Sequence, residues 1–432
     1  MFKVNRFFHK PCKDRLLSRP GKEPGLTLFG ILYWKEFNSK LSGKAREITM
    51  DNLVQPDGER KRARELGINI GRLTPGPWNA ITDVAGLRVG HTTLISGDGP
   101  LVVGQGPVRT GVTVIIPHEG NIGVEPLFAG YHVLNGNGEM TGLPWVEEAG
   151  LLTSPIAITN THSVGVVRDA LIAYDIGNGG GSLDNSWSLP VVAETYDGFL
   201  SDINGLHVRP EHVFAALDGA KSGPVPEGCV GGGTGMICHG FKGGIGTSSR
   251  ILSPEQGGWT VGVLVQANYG QRALLRVNGA PVGQLIGPDE VPLPGVVPAP
   301  GQGAGTGSII VIIATNAPIL ADQCRRLAQR ATLGIARMGG LGENSSGDIF
   351  LAFSTANRNL KQSGGKEPVE VKMLPPGALS PLFEAVGEAT EEAILNALCA
   401  ATTTVGVAGR TAHALPLDRL QQIMRRYGVD SF

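Results

Sequence analysis

Charge is what this 432-residue chain has little of. Asp, Glu, Lys and Arg make up 17% of it, against roughly 25% in ordinary soluble domains, and they nearly cancel to a net −1. A near-neutral chain with no long basic block among aromatics lacks the electrostatic footprint of a nucleic-acid binder, so small-molecule substrates fit it better. Cysteine is scarce as well. Cys12, Cys229, Cys238, Cys324 and Cys399 form no CxxC pair and are odd in number, which argues against a disulfide framework or a zinc site and for thiols in a reducing compartment. No apolar run approaches the roughly 18–20 residues that a membrane span needs, and even SIIVIIA is soon interrupted. The expectation is a cytoplasmic protein, not a transmembrane one. HExxH and GxSxG are missing too, which removes common zinc-peptidase and esterase signatures.

Glycine is abundant instead: 64 residues, about twice the usual share of roughly 7%, with no collagen-like period. Tight turns and close backbone approaches follow. Apolar residues reach 41%, so with so little charge much of the chain should be covered on both faces or lie in subunit contacts.

Residues 1–55 differ from the rest, being rich in Lys, Arg and bulky aromatics, and read as an N-terminal extension. GLTLFGILYW could be the apolar part of an export signal, but no small-x-small cleavage pattern follows it; a second start at Met50 explains the change in texture more plainly. Beyond about Arg72, short aliphatic runs alternate with turn residues. RVGHTTL, GVTVIIP, SPIAITNTHSVG, LPVVAET, WTVGVLVQAN and GSIIVIIATNAPI are strand signals. SVGVVRDALIAYDIG, APILADQCRRLAQRATLGIARMG and LSPLFEAVGEATEEAILNALCAATTTVG read as helices, the last opened by Ser380 as a cap with Pro381 at the first helical position. Buried strands with long helices suggest a layered α/β or α+β sandwich with helices outside the sheets. The Pro/Gly-rich segment from Val282 to Gly307 reads as a loop without a packed conformation, ending at Ser308.

The Gly-rich run from Gly231 to Arg250 departs from the phosphate-binding templates: Lys242 follows Phe241 rather than Gly, and no strand-turn-helix context is readable. Glycines packed closely around a site are the favoured reading. Ser308 poses a different question. A serine hydroxyl needs a neighbouring base, and one solution is the residue's own free α-amine, which requires a chain start at that residue. The deformable linker before Ser308 could be cut to make one. An α-amine, with a pKa of about 7.7–8.0, can then accept a proton near neutrality.

GPWNAITDVAGLRVGHTT, TGVTVIIP, ITNTHSVGVVRD, VVAETYDGFLSDING, GGGTGMICHGFKGGIGTSSR, VLVQANYG, GTGSIIVIIATNAPI and NSSGDIFLAF, in that order, resemble the self-cleaving L-aminopeptidase/D-amidase-esterases and the β-aminopeptidases, from about Arg72 to His413. A more distant likeness is to ornithine acetyltransferases. The resemblance implies cleavage between Gly307 and Ser308 into chains 56–307 and 308–432 that stay together in a four-layer αββα sandwich of the N-terminal-nucleophile type. It implies Ser308 as nucleophile and, through its new amine, as base. Asn268 would donate to the oxyanion; Ser346 and Asp348 would hold the Ser308 amine and hydroxyl; Tyr196 would add a hydroxyl; Glu194 would meet the substrate ammonium.

The resemblance also implies small peptide, amide or ester substrates, no metal or organic cofactor, and a homotetramer. Two positions depart from the relatives' pattern: Asp348 stands where β-aminopeptidases carry Glu, and Asn316 where Asp is common. An acyltransferase, and an uncut protein binding a small anion with the Gly231 to Gly246 loop, remain the alternatives.

Overall fold

The computed structural model describes residues 60–177, 187–295, 307–360 and 367–428. The expected extension at 1–55 and the run from 296 to 306 before the expected cleavage point lie outside the described residues.

Two sheets carry the architecture. The four-stranded one runs β1 (Arg88–Ser96), β2 (Val108–Ile116), β5 (Ile156–Asn160), β6 (Val191–Thr195). The six-stranded one runs β4 (Leu151–Leu152), β3 (Leu127–Gly136), β12 (Gly347–Ser354), β11 (Ser308–Thr315), β10 (Thr260–Asn268), β9 (Gly244–Ile251). Two hairpins, β7 (Ile237–Cys238) with β8 (Phe241–Lys242) and β13 (Thr404–Val405) with β14 (Thr411–Ala412), flank them. β5 runs parallel to β6 and β11 to β12, each pair joined through a helix, Val164–Gly177 and Ala321–Arg337, as parallel neighbours require.

The period-two alternation of the strands sorts side chains into three cores. Val112, Val114, Ala157 and Val192 pack outward against helices Val164–Gly177 and Pro210–Asp218. Ile115, Ile158, Val191 and Ala193 face Leu264, Ile310, Ile312, Ile349 and Leu351 between the sheets. Val263, Val265, Ile309, Val311 and Phe350 face helices Ala321–Arg337 and Ser380–Ala400. The result is the expected αββα sandwich of an α+β protein. β11 is its centre: Ile309 to Ile313 are fully buried, each worth about 1.5–3 kcal/mol, which explains why GSIIVIIATNAPI is so continuously aliphatic.

Two expectations need correction. Helix Ser380–Ala400 begins at Ser380 itself, with Leu379 before it and no side-chain cap bond; Pro381 sits in the first turn, where its missing N–H costs no helical bond. The segment after Val282 is partly packed: Val282–Leu285 forms one helical turn, and Val282, Ile286 and Val291 are buried. The Gly-rich run ends in a strand, since Gly244–Ile251 is β9, and its glycines approach neighbouring backbone closely, as expected. Among the described residues no helix is long and apolar enough to cross a membrane.

Candidate active site

Antiparallel pairing sets Asn268, the last residue of β10, directly opposite Ser308, the first of β11, and parallel pairing sets Gly347 on the other side of Ser308. Ser308 has the parity of Ile310 and Ile312, so it lies on the inner face at the mouth of the inter-sheet core and is 6% exposed. The Gly347 N–H points at two acceptors, the Gly307 carbonyl oxygen (3.2 Å) and Ser308 Oγ (3.2 Å). One backbone donor therefore touches both the Ser308 hydroxyl and the Gly307 carbonyl. Gly307 passes so close to the Asn268 carbonyl and the Tyr269 backbone that a Cβ would collide with them, so only glycine holds this bond in place.

The polar residues named from the resemblance surround this point unevenly. Asn268 is well oriented: its Oδ1 accepts from the Ile237 N–H (2.7 Å) and its Nδ2 donates to the Tyr196 carbonyl (3.0 Å), leaving a second amide hydrogen. Ser346 Oγ donates to Asp348 Oδ1 at 2.5 Å, so the shorter Asp still reaches the serine. A register shift against β3 between Asp348 and Ile349 accompanies this arrangement. Burial raises the Asp348 carboxyl to about 6, with Ser346 and the Ile309 N–H pulling it down and Glu343 pushing it up.

Glu194 is buried, with its oxygens taken by the Glu139 N–H (3.0 Å) and the Thr161 hydroxyl. A Cβ on Gly138 would lie 3.1 Å from Glu194 Oε1 and 3.0 Å from Gly347 Cα, which places the carboxylate against the strand that flanks Ser308. Burial raises its pKa, opposed by Thr161 and the Glu139 N–H. Tyr196 is 46% exposed, and its hydroxyl lies over Gly198. What it brings to Asn268 is its carbonyl rather than its phenol.

Asn316 does not belong to this group. It caps the far end of β11, accepting from the Thr260 N–H (2.7 Å), and at about 3.3 Å per residue stands about 26 Å from Ser308. Asn at this position therefore removes no charge near Ser308. The Gly-rich turn is no anion cradle either: the N–H groups of Gly231, Gly232, Gly233 and Thr234 go to Thr93, Thr113, Val230 and Gly231.

Sequence reasoning missed the Gly347 N–H, because a backbone donor has no residue signature. It also missed Asn135 and Asn137, whose amides bind the Ser346 and Ser345 carbonyls and hold the loop that delivers Ser346. The NGNG pattern from Asn135 to Gly138 was their available signal.

Residues 79–412 match peptidase family S58. The β-peptidyl aminopeptidase BapA of Sphingosinicella microcystinivorans is 51% identical over 376 residues, covering 85% of this chain and 93% of its own length. Among solved structures, a Burkholderia sp. β-aminopeptidase superposes with a TM-score of 0.77 at 54% identity, covering 85% of this chain and 99% of its own. The L-aminopeptidase D-Ala-esterase/amidase of Ochrobactrum anthropi, described as a prototype for the serine aminopeptidases and a variant of the Ntn hydrolase fold, gives 0.77 at 42% identity, covering 86% and 99%. Sheet order, core and matches agree: the chain belongs to peptidase family S58 and is a serine aminopeptidase.

Proposed function

We propose that this aminopeptidase activates itself by cutting between Gly307 and Ser308, and then releases N-terminal residues from small peptides, amides or esters through an acyl-enzyme on Ser308. The observation that supports this is the single Gly347 N–H shared by the Gly307 carbonyl and Ser308 Oγ. Attack of Oγ on the Gly307 carbon forms a C–O bond and places negative charge on an oxygen that already faces that N–H. Collapse breaks the C–N bond, the serine proton passes to the departing Ser308 nitrogen, and water hydrolyses the resulting ester to a Gly307 carboxylate and a free Ser308 amine. The same N–H and the spare amide hydrogen of Asn268 then serve the substrate oxyanion, while the Ser308 amine carries the proton to the leaving amine. Ser346 and Asp348 would hold that amine, and Glu194 would receive the substrate ammonium.

Incubated protein analysed by mass spectrometry should show two fragments meeting at Gly307/Ser308; one uncut, active chain would refute the mechanism. Asn268→Ala should lower kcat about 10²–10³-fold with little change in KM, because the donor acts on charge that exists only in the transition state. Glu194→Gln, nearly isosteric, should instead raise KM for substrates with a free N-terminal ammonium, and an equal loss on an N-acylated ester would contradict its role.

The greater similarity to proteins named for β-peptides favours an N-terminal β-residue as substrate. The low charge and the exposed Leu101, Val102 and Val103 beside β2 support a homo-oligomer, and the free thiols Cys229, Cys238, Cys324 and Cys399 support the cytoplasm as its location.

A further inference from the structure

The segment that leaves β3 holds more than the Ser346 loop. On one side residues 135–141 are zipped to the chain before β12. Asn135 Nδ2 binds the Ser346 carbonyl and, at 3.0 Å, the Glu343 carbonyl; Asn137 gives its N–H to the Ser346 carbonyl (3.2 Å) and its Nδ2 to the Ser345 carbonyl (2.8 Å). On the other side the same residues are zipped to β6. The Glu139 N–H reaches Glu194 Oε1 (3.0 Å), and Met140 forms a β-bridge with Ala193. The Thr141 N–H reaches the Val192 carbonyl (2.9 Å), and Thr141 Oγ1 accepts from the Val192 N–H (3.0 Å). β12 belongs to the six-stranded sheet and β6 to the four-stranded one, so this segment straps the two sheets together at the end where Ser308 lies.

Gly138 is the narrow point of the strap. A Cβ there would lie 3.0 Å from Gly347 Cα and 3.1 Å from Glu194 Oε1. The contact is reciprocal: a Cβ on Gly347 would fall 2.6 Å from the Asn137 carbonyl oxygen and 2.7 Å from Gly138 Cα. Backbone lies directly on backbone, an approach that glycine at both positions allows. Gly347 has little room to yield, because β12 is hydrogen-bonded to β11 on one side and to β3 on the other, and its N–H faces Ser308 Oγ. Glu194 is buried, and its second oxygen is held by the Thr161 hydroxyl. The strap thus sets how far the Glu194 carboxylate stands from the strand beside Ser308.

That separation acquires a chemical meaning when a substrate spans it. Glu194 as partner of the ammonium and Ser308 as the attacking group are taken from the function proposed above, on which this selectivity rests. From ammonium to carbonyl, an N-terminal β-residue is longer than an α-residue by one methylene, about 1.3 Å. Two fixed ends match one of these lengths better than the other. We propose that residues 135–141 act as a ruler that selects between N-terminal β- and α-residues, with Gly138 as the specificity-determining position. A side chain at Gly138 pushes the strap and the Glu194 carboxylate away from Gly347, which lengthens the span and favours the β-residue further.

Three substrates read the ruler: the p-nitroanilides of L-β-homoalanine and L-alanine, and p-nitrophenyl propionate, which has no ammonium to place. Gly138→Ala should raise the ratio of kcat/KM for the β- over the α-anilide about tenfold, the lower end of what one methylene is worth in an enzyme pocket, and leave the ester within about twofold of the parent. A ratio unchanged within about twofold, or a loss on the ester as large as on the anilides, would overturn the proposal. Asn137→Ala adds no bulk and frees the strap from Ser345, so it should draw the ratio towards one. A ratio held at the parental value in that variant would count equally against the ruler, and Asn137→Ala decides if Gly138→Ala does not fold. Glu194→Gln separates the two levels. If it leaves KM for both anilides unchanged, the ammonium reading falls and the ruler with it; if it raises both while Gly138→Ala leaves their ratio fixed, only the ruler falls.

Discussion

Ser308→Ala should yield a single uncut 432-residue chain without aminopeptidase activity. In the proposed mechanism the hydroxyl would attack the Gly307 carbonyl in processing and the substrate carbonyl in turnover, and the amine that would serve as base in turnover exists only after processing. One substitution therefore removes nucleophile and base together. Losing a nucleophile that acts as part of such a unit costs about 10⁶-fold in kcat. The fold should survive, because among the described residues Ser308 Oγ receives one contact, at 3.2 Å from Gly347, and the methyl of Ala occupies the same strand position. Intact mass, activity and a melting curve on the same sample separate the possibilities: a cut chain would remove the mechanism, and an unfolded one would leave the activity loss unexplained by chemistry.

Arg250→Ala should have the second-largest effect, on cohesion rather than chemistry. Arg250 is 0% exposed and reaches Glu388 (2.9 Å) and Glu392 (2.7 Å) on helix Ser380–Ala400. Arg64 (2.8 Å) and the Asn79 amide (2.6 Å) also bind Glu392, and the Arg72 and Leu73 N–H groups bind Glu388. Burial by itself would push Glu392 up; Arg250 and Arg64, with Asn79, hold it below the usual carboxylate range.

Every donor in this network precedes Gly307 and both acceptors follow Ser308. After the proposed cleavage the same bonds would join two chains. Removing Arg250 leaves buried carboxylates short of a partner, a loss of about 3–5 kcal/mol. That is more than a hundredfold in association of the two fragments. Denaturant midpoints and size-exclusion of the processed protein should both register it, and unchanged values would contradict the role.

Legibility in the sequence followed the strength of local pattern. β11 is aliphatic from Ile309 to Ala314, and β10 carries Val261, Val263, Leu264 and Val265, because both strands are covered on both faces, and both are marked plainly. β9, GIGTSSRI, is as fully buried apart from its last residue, but packs Gly246 against the backbone of helix Ser380–Ala400 and hydrogen-bonds through Thr247, Ser248 and Ser249; its composition therefore reads as loop. The three longest helices came through well because amphipathic or apolar runs of 14 to 21 residues leave little ambiguity, whereas the shorter Leu143–Ala149, Pro210–Asp218 and Leu417–Tyr427 were not read. Ser308 as nucleophile drew on its neighbouring blocks, since a Gly-Ser step before a strand is common by itself.

By itself the sequence determined the layered strand-and-helix composition, the weak electrostatics and, through its resemblance, the residues around Ser308. Tertiary structure decided which of those residues meet. Strand register put Asn268 and Gly347 on either side of Ser308 and sent Asn316 to the opposite end of the same strand. It also set Arg250, which precedes Ser308 in the chain, against Glu388 and Glu392, which follow it. Register, backbone donors and burial depend on residues far apart in the chain, so no local stretch of sequence encodes them.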